Sequence, residues 1–406
     1  MVAKVLSSVF SVLVFLFLAR IFSVEDLGIF SFFTSVAVIV TVASNWGVNE
    51  YILREGAVNP VKLGEMVRTS MFIKGSLGLA FGFLTFSYFF FKETALLSIL
   101  IFLLILLFAL VDSQTITFIA AFRSQGITRF EAWFFPCRNA CRLLTIVLIS
   151  FWRKSLLEII CGMVLVNLTG FLIANRSFKR FWQEGQRGRI NLRRAYEVAR
   201  SATPFVLLAV IGMTYARADQ IMLGLMKGSR EVGIYALAWQ VYETATFLPI
   251  AIGIVLLPKL TRIYHDDAYR WIERGAKALG YTLLLGSVIG VALFIALPYV
   301  IRYLFSAKYL ASEPVIRVLM VAYIFNFVWV ALLISMMISG GNFQMLNLIV
   351  ISSLALNIGA NLLAIPRYGP LGAAYVTILS EVFTFAAGTW WLLKKMSDMK
   401  LAPVKT

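Results

Sequence analysis

Long apolar runs set the pattern of this chain. Residues 97–111 read LSILIFLLILLFALV, and the stretches 279–301 and 318–339 also pass without a charge. A helix that crosses a bilayer needs about 20 mostly apolar residues. The period-two alternation of outer-membrane strands is missing, so the spans are expected to be helices. Twelve are expected, near 3–22, 28–49, 66–90, 95–121, 131–151, 156–175, 201–226, 232–256, 276–301, 314–339, 344–365 and 371–393. Residues 5–19 follow Lys4 as a signal peptide would, but Arg20 comes next without a small-x-small cleavage site; they are read as the first span.

The polar segments between these runs are short, apart from 176–199 in mid-chain. The expected organisation is an N-terminal six-helix lobe over 1–175, a basic linker over 176–199, a C-terminal six-helix lobe over 200–394 and a tail over 395–406. The two halves echo each other. EDLGIFS at 25–31 returns as EVGIYA at 231–236, pairing Gly28 with Gly233; weaker echoes pair Gly126 with Gly340 or Gly341, and Gly162 with Gly372. Six spans separate the copies, so both start on the same membrane side, which is a parallel repeat.

Composition agrees. Of the 406 residues, 60% are hydrophobic and 14% charged, against about 45–50% and about 25% in soluble domains. The net charge of +17 in a soluble chain would point to nucleic acid; here it fits topology. With the N-terminus inside, 23 of the 37 Lys and Arg fall on the cytoplasmic side, 10 opposite and four within spans. That bias supports both termini in the cytoplasm and an even number of spans, as expected of a multi-pass protein of the cytoplasmic membrane. The basic loops suit anionic lipid headgroups, and no nucleic-acid partner is expected.

Ionisable residues within spans are costly and tend to face a cavity or a partner. Arg138 and Arg142 lie four apart on one helix face. Two guanidinium groups so close repel unless something anionic lies between them. A diphosphate or acidic sugar would serve, together with Lys74 and Arg217; so would a carboxylate such as Asp112, or escape to the cytoplasmic edge. Asp112, Asp219, Glu243 and Glu381 are the candidates for coupling to H+ or Na+, with structural pairing as the alternative. Pro204 and Pro249 mark spans seven and eight as places to flex, whereas Pro258 is expected to end its helix. His265 is the one histidine, so no metal cluster is expected; Cys137, Cys141 and Cys161 read as small hydrophobes. Phosphate-loop and nucleophile-elbow motifs are missing, as is a large external loop of the kind a membrane polymerase would need.

Several motifs resemble one family. They are Ala19-Arg20-Ile21 with Glu25-Asp26-Leu27-Gly28-Ile29-Phe30-Ser31, then Asn45-Trp46-Gly47 and Arg54-Glu55. Arg217-Ala218-Asp219-Gln220-Ile221-Met222-Leu223-Gly224, Val232-Gly233-Ile234-Tyr235-Ala236-Leu237-Ala238, Pro258-Lys259-Leu260 and Gly369-Pro370-Leu371-Gly372-Ala373-Ala374 continue the series. Together they resemble the oligosaccharidyl-lipid flippases of the multidrug/oligosaccharidyl-lipid/polysaccharide superfamily. The resemblance implies an all-α, MATE-like membrane fold of two pseudo-symmetric six-helix lobes. It implies a transporter, not an enzyme, that moves polyprenyl-diphosphate-linked oligosaccharides outward by alternating access, without a cofactor. It also implies that Arg20, Arg54 and Arg217 line the cavity, and that the protein is a monomer working beside glycosyltransferases or a polymerase. Ser23-Val24 departs from the commoner Gly-Pro, and the lead into the first span is short. A cation-coupled multidrug exporter of the same fold is the alternative.

Overall fold

The computed structural model describes residues 2–92, 95–152, 155–182 and 191–401. Among them the chain is helical throughout, with no strand. It forms two compact units, Met1–Arg217 and Ala218–Thr406.

The first unit holds α1 (Val2–Ile21), α2 (Val24–Asn45), α3 (Val48–Val58), α4 (Leu63–Lys92), α5 (Leu96–Ser124), α6 (Thr128–Trp152), α7 (Leu156–Phe181) and most of α8 (Leu192–Lys227). The second holds the end of α8, then α9 (Ser229–Ala245), α10 (Phe247–Asp266), α11 (Ala268–Phe305), α12 (Ser312–Val328), a π-helical turn over Trp329–Leu333, α13 (Ile334–Ser339), α14 (Phe343–Tyr368) and α15 (Pro370–Leu401). Among the described residues, ten stretches are long and apolar enough to cross a membrane, α2–α3 and α9–α10 each counting as one. The first and seventh expected spans are helical as well, as α1 and within α8.

The polar stretch 176–199 is mostly helical where described. α7 runs through its first residues and α8 begins at Leu192, while 183–190 lie outside the described residues. The change of unit comes within α8, after Arg217.

The repeat extends to helix order. In the first unit α5 packs against α2, α3, α4 and α7, and α6 pairs with α7; in the second, α12 and α13 pack against α9, α10, α11 and α15, and α14 pairs with α15. The echoed glycines explain why. Gly126 (φ 73°) turns the chain into α6, and Gly341 (φ 69°) turns it into α14; this backbone conformation favours glycine. Gly162 and Gly372 let the hairpin helices approach. A Cβ on Gly162 would lie 2.6 Å from Ile149 Cδ1, and one on Gly372 would lie 2.4 Å from the Ala364 carbonyl oxygen.

Two connections expected as loops are helical. α3 buries Val48, Ile52 and Gly56 on one face, at i, i+4 and i+8, and turns charged residues outward. Its mean hydropathy is too low for it to read as a span. α10 continues to Asp266, so Pro258 lies inside a helix rather than ending one. The chain breaks instead at Thr246, and Pro249 sits in the first turn of α10, where its missing N–H goes unneeded. Pro204 lies inside α8.

The first unit's core is aromatic: Phe118, Phe122, Phe134 and Phe178 pack together, with Phe130 stacked on Phe122 at 4.4 Å. The second unit buries Trp271, Leu332, Leu333, Met336 and Leu392 completely. Outward faces carry bare apolar side chains. On α11, Leu284, Val288, Val291 and Ile295 are exposed, with Tyr281 and Tyr299 at either end. Such a face is stable against hydrocarbon, with tyrosines at the level of the headgroups.

Candidate functional site

Each unit buries a polar cluster, and the two clusters differ in charge.

In the first unit the cluster surrounds α5 at residues 112–117. Asp112 ion-pairs with both Arg138 and Arg142 of α6. The spacing of four places both guanidinium groups on the face of α6 that meets this carboxylate. Arg142 also donates from Nε to Asn167 Oδ1 at 3.0 Å and from Nη1 to Asn139 Oδ1 at 3.1 Å, and it lies over the Phe108 ring at 4.9 Å. Asn139 in turn donates to Ser11 of α1, and Asn167 donates to the Phe108 carbonyl. Arg138 is buried between the rings of Phe134 and Phe135, and its Nε has no hydrogen-bond acceptor among the described residues. Two cations share one carboxylate, which leaves an excess positive charge.

Lys74 of α4 approaches the other side of α5. It is 2% exposed, and its ammonium donates to the Ser113 carbonyl, to Thr117 Oγ1 at 2.9 Å and to Asn49 Oδ1 at 3.3 Å. An ammonium has three protons to donate, and three neutral acceptors meet them. The cation is solvated by protein and stays uncompensated by a direct ion pair among the described residues.

In the second unit the cluster centres on Asp219 of α8. Its carboxylate is buried and accepts from Tyr235 Oη at 2.6 Å, Asn361 Nδ2 at 2.7 Å and Thr377 Oγ1 at 3.1 Å. All three donors are neutral, from α9, α14 and α15. Asn361 also donates to Asn357 Oδ1 at 3.1 Å, and Asn357 donates to Ser380 at 3.4 Å. Asn361 Oδ1 is buried with no donor among the described residues. Glu381, beside Ser380, is buried on α15 and accepts from Tyr242 Oη at 3.4 Å.

Arg20 is exposed at the end of α1. Arg54 is exposed on α3 and pairs with its neighbour Glu55 at 2.9 Å. Arg217 and Glu243 are half-buried on α8 and α9. Of the four acidic candidates, Asp112 departs most from an ion-coupling role: two guanidinium groups already occupy it. The sequence did not single out Asn139, Asn167, Asn361, Asn357 or Thr377, and it marked Tyr235 only as part of the repeat and of a family motif. A signal was available for α14, where Ser353, Asn357 and Asn361 recur every fourth residue in an otherwise apolar run.

Two bundles of apolar helices, repeated in order and each with buried polar groups at its centre, define a multi-pass membrane protein. The chain belongs to the polysaccharide biosynthesis protein family, whose model matches residues 1–264. An uncharacterized membrane protein of Methanocaldococcus jannaschii is 22% identical over 307 residues; the match takes in 70% of this chain and 58% of that protein, so the chain spans little more than half of that relative's length. Among solved structures, the inward closed conformation of the lipid II flippase MurJ superposes with a TM-score of 0.73 at 14% identity, covering 97% of this chain and 87% of that one. An inward-facing multidrug resistance MATE family transporter of the MOP superfamily gives 0.72 at 13% identity, covering 98% and 96%. A MOP superfamily transporter from Pyrococcus furiosus gives 0.62 at 13% identity, covering 99% and 94%. The fold is therefore MATE-like, as the motifs implied.

Proposed function

We propose that the protein is a flippase that carries a polyprenyl-diphosphate-linked oligosaccharide, such as an O-antigen or other surface polysaccharide unit, to the outer leaflet of the cytoplasmic membrane by alternating access. Both termini lie in the cytoplasm in this reading, and the protein acts as a monomer that hands its cargo on from glycosyltransferases to a polymerase. The observation that carries the proposal is the cation-rich cluster of the first unit, in a chain of the polysaccharide biosynthesis family. Lys74, Arg138 and Arg142 gather at one level of α5 against a single carboxylate. A guanidinium fork matches the oxygens of a diphosphate, and the apolar polyprenyl tail can stay in lipid. Arg20, Arg54 and Arg217 contribute to the path of the anionic headgroup.

Transport runs on a cation gradient, H+ or Na+, taken up at Asp219. The donor set supports this: a buried carboxylate held by neutral groups, next to an orphaned carbonyl oxygen on Asn361. Na+ would take the oxygens of Asp219, Asn361 and Thr377, whereas H+ would neutralise Asp219. Glu381 and Glu243 are the secondary candidates for the ion's path.

The test is reconstitution into proteoliposomes with a polyprenyl-diphosphate oligosaccharide, reading headgroup exposure at each leaflet with and without H+ and Na+ gradients. Protein-dependent movement that follows a gradient supports the proposal. No movement across matched substrates and gradients overturns it. Export of cationic drugs in the same vesicles would favour the multidrug exporter, for which the neutral-lined carboxylate of Asp219 speaks.

A further inference from the structure

Beside the buried arginines, a lateral groove of about 570 Å³ runs between α6 and α7. Arg129 and Phe181 stand at one end, and Trp133, Cys137 and Ile173 line its walls. Trp133 is 74% exposed, and Cys137 is exposed as well. Gly170 lines the groove too, and a Cβ there would press on two other lining side chains, Arg138 Cδ at 3.2 Å and Phe134 Cζ at 3.4 Å. From Arg129 to Cys141, the last α6 residue in the lining, is about 18 Å at 1.5 Å per residue. One leaflet of a bilayer core is about 15 Å deep.

The charges at the mouth are of one sign. Arg123 is neutralised by Glu131. Arg129, exposed in the first turn of α6, has no ion-pair partner among the described residues. Lys179 and Arg180, exposed in the last turn of α7 beside Phe181, have none either. Deeper in, Arg138 is more than nine-tenths buried and lines the same groove.

We propose that this groove is a binding site for an anionic glycerophospholipid of the bilayer, with its phosphate at Arg129 and the end of α7, and an acyl chain laid between Trp133 and Gly170. The groove shares Arg138 with the proposed cargo cluster, but the headgroup end at Arg129 and the end of α7 does not depend on the flippase reading. Aromatic walls and a small-residue floor accept a chain, while the unpaired cations select a negative headgroup over a zwitterionic one.

The test uses the purified full chain in lipid nanodiscs made from phosphatidylcholine with added phosphatidylglycerol. Either lipid carries brominated acyl chains, which quench nearby tryptophans. The chain has nine tryptophans, so the Trp133 signal is taken as the difference between wild type and Trp133→Phe. Expected is half-maximal quenching of Trp133 at about fivefold lower mole fraction of brominated phosphatidylglycerol than of brominated phosphatidylcholine, which is the contribution of one basic residue near a membrane surface. Arg129→Gln, at an exposed position, should erase most of that preference, and Gly170→Leu should weaken quenching by both lipids. Equal quenching by the two lipids in the wild type, or a preference that survives Arg129→Gln, overturns the proposal. If Gly170→Leu fails to fold, the Arg129→Gln result still decides it.

Discussion

The two units share an order of helices but bury opposite chemistries. In the first, Asp112 is shared by two arginines, and the surplus is positive. In the second, Asp219 accepts only from neutral hydroxyl and amide groups, and the surplus is negative. A buried ion pair resists the loss of either partner, because the remaining charge is stranded in a poorly polarisable interior. A carboxylate solvated by neutral dipoles is different: it can be neutralised without stranding anything. A repeated scaffold can thus hold a fixed charge cluster in one half and an exchangeable one in the other.

The largest effect should come from stranding the arginines. Asp112→Ala should cost about 3–5 kcal/mol of stability, read as unfolding of the purified protein in detergent. Asp219→Asn should cost less, about 1–3 kcal/mol, since it removes an acceptor but leaves no cation behind. Equal losses in the two variants would erase the distinction between the clusters.

Next come the paired glycines of the repeat. Gly372→Ala forces a methyl group onto the backbone of α14 and should cost about 1–3 kcal/mol. Gly162→Ala meets only the tips of Ile149 and Thr145 side chains, which can turn away, so its cost should be smaller. The reverse order in unfolding experiments would mean that the two hairpins are not built alike. The smallest effect belongs to Arg54→Gln on exposed α3, where loss of the pair with Glu55 should change stability by less than about 1 kcal/mol.

Most of the helices were readable from the chain, because lipid demands long apolar runs and nothing else in this sequence supplies them. α3 and the end of α10 were not, since amphipathic helices of mixed charge carry no such run. The glycine echoes were legible as a pattern, but only the structure shows that Gly126 and Gly341 turn the chain while Gly162 and Gly372 each seat a hairpin. For Arg138 and Arg142, spacing gave the shared face and left the partner open; Asp112 is 30 residues from Arg142, and no local rule links them. The shell around Asp219 was harder still. Asn361 and Thr377 are uncharged, and their sequence separations from Asp219 are 142 and 158 residues. Only packing could bring them to one carboxylate.

The division of labour between the clusters is the central claim, and one comparison reaches it directly. The triple variant Asp112→Asn, Arg138→Gln, Arg142→Gln removes the carboxylate together with both guanidinium groups that pair with it. Reconstituted as folded protein with a polyprenyl-diphosphate oligosaccharide, it should lose at least about tenfold in the rate of headgroup translocation, the equivalent of about 1.4 kcal/mol. Translocation by the folded triple variant at the wild-type rate would contradict the account.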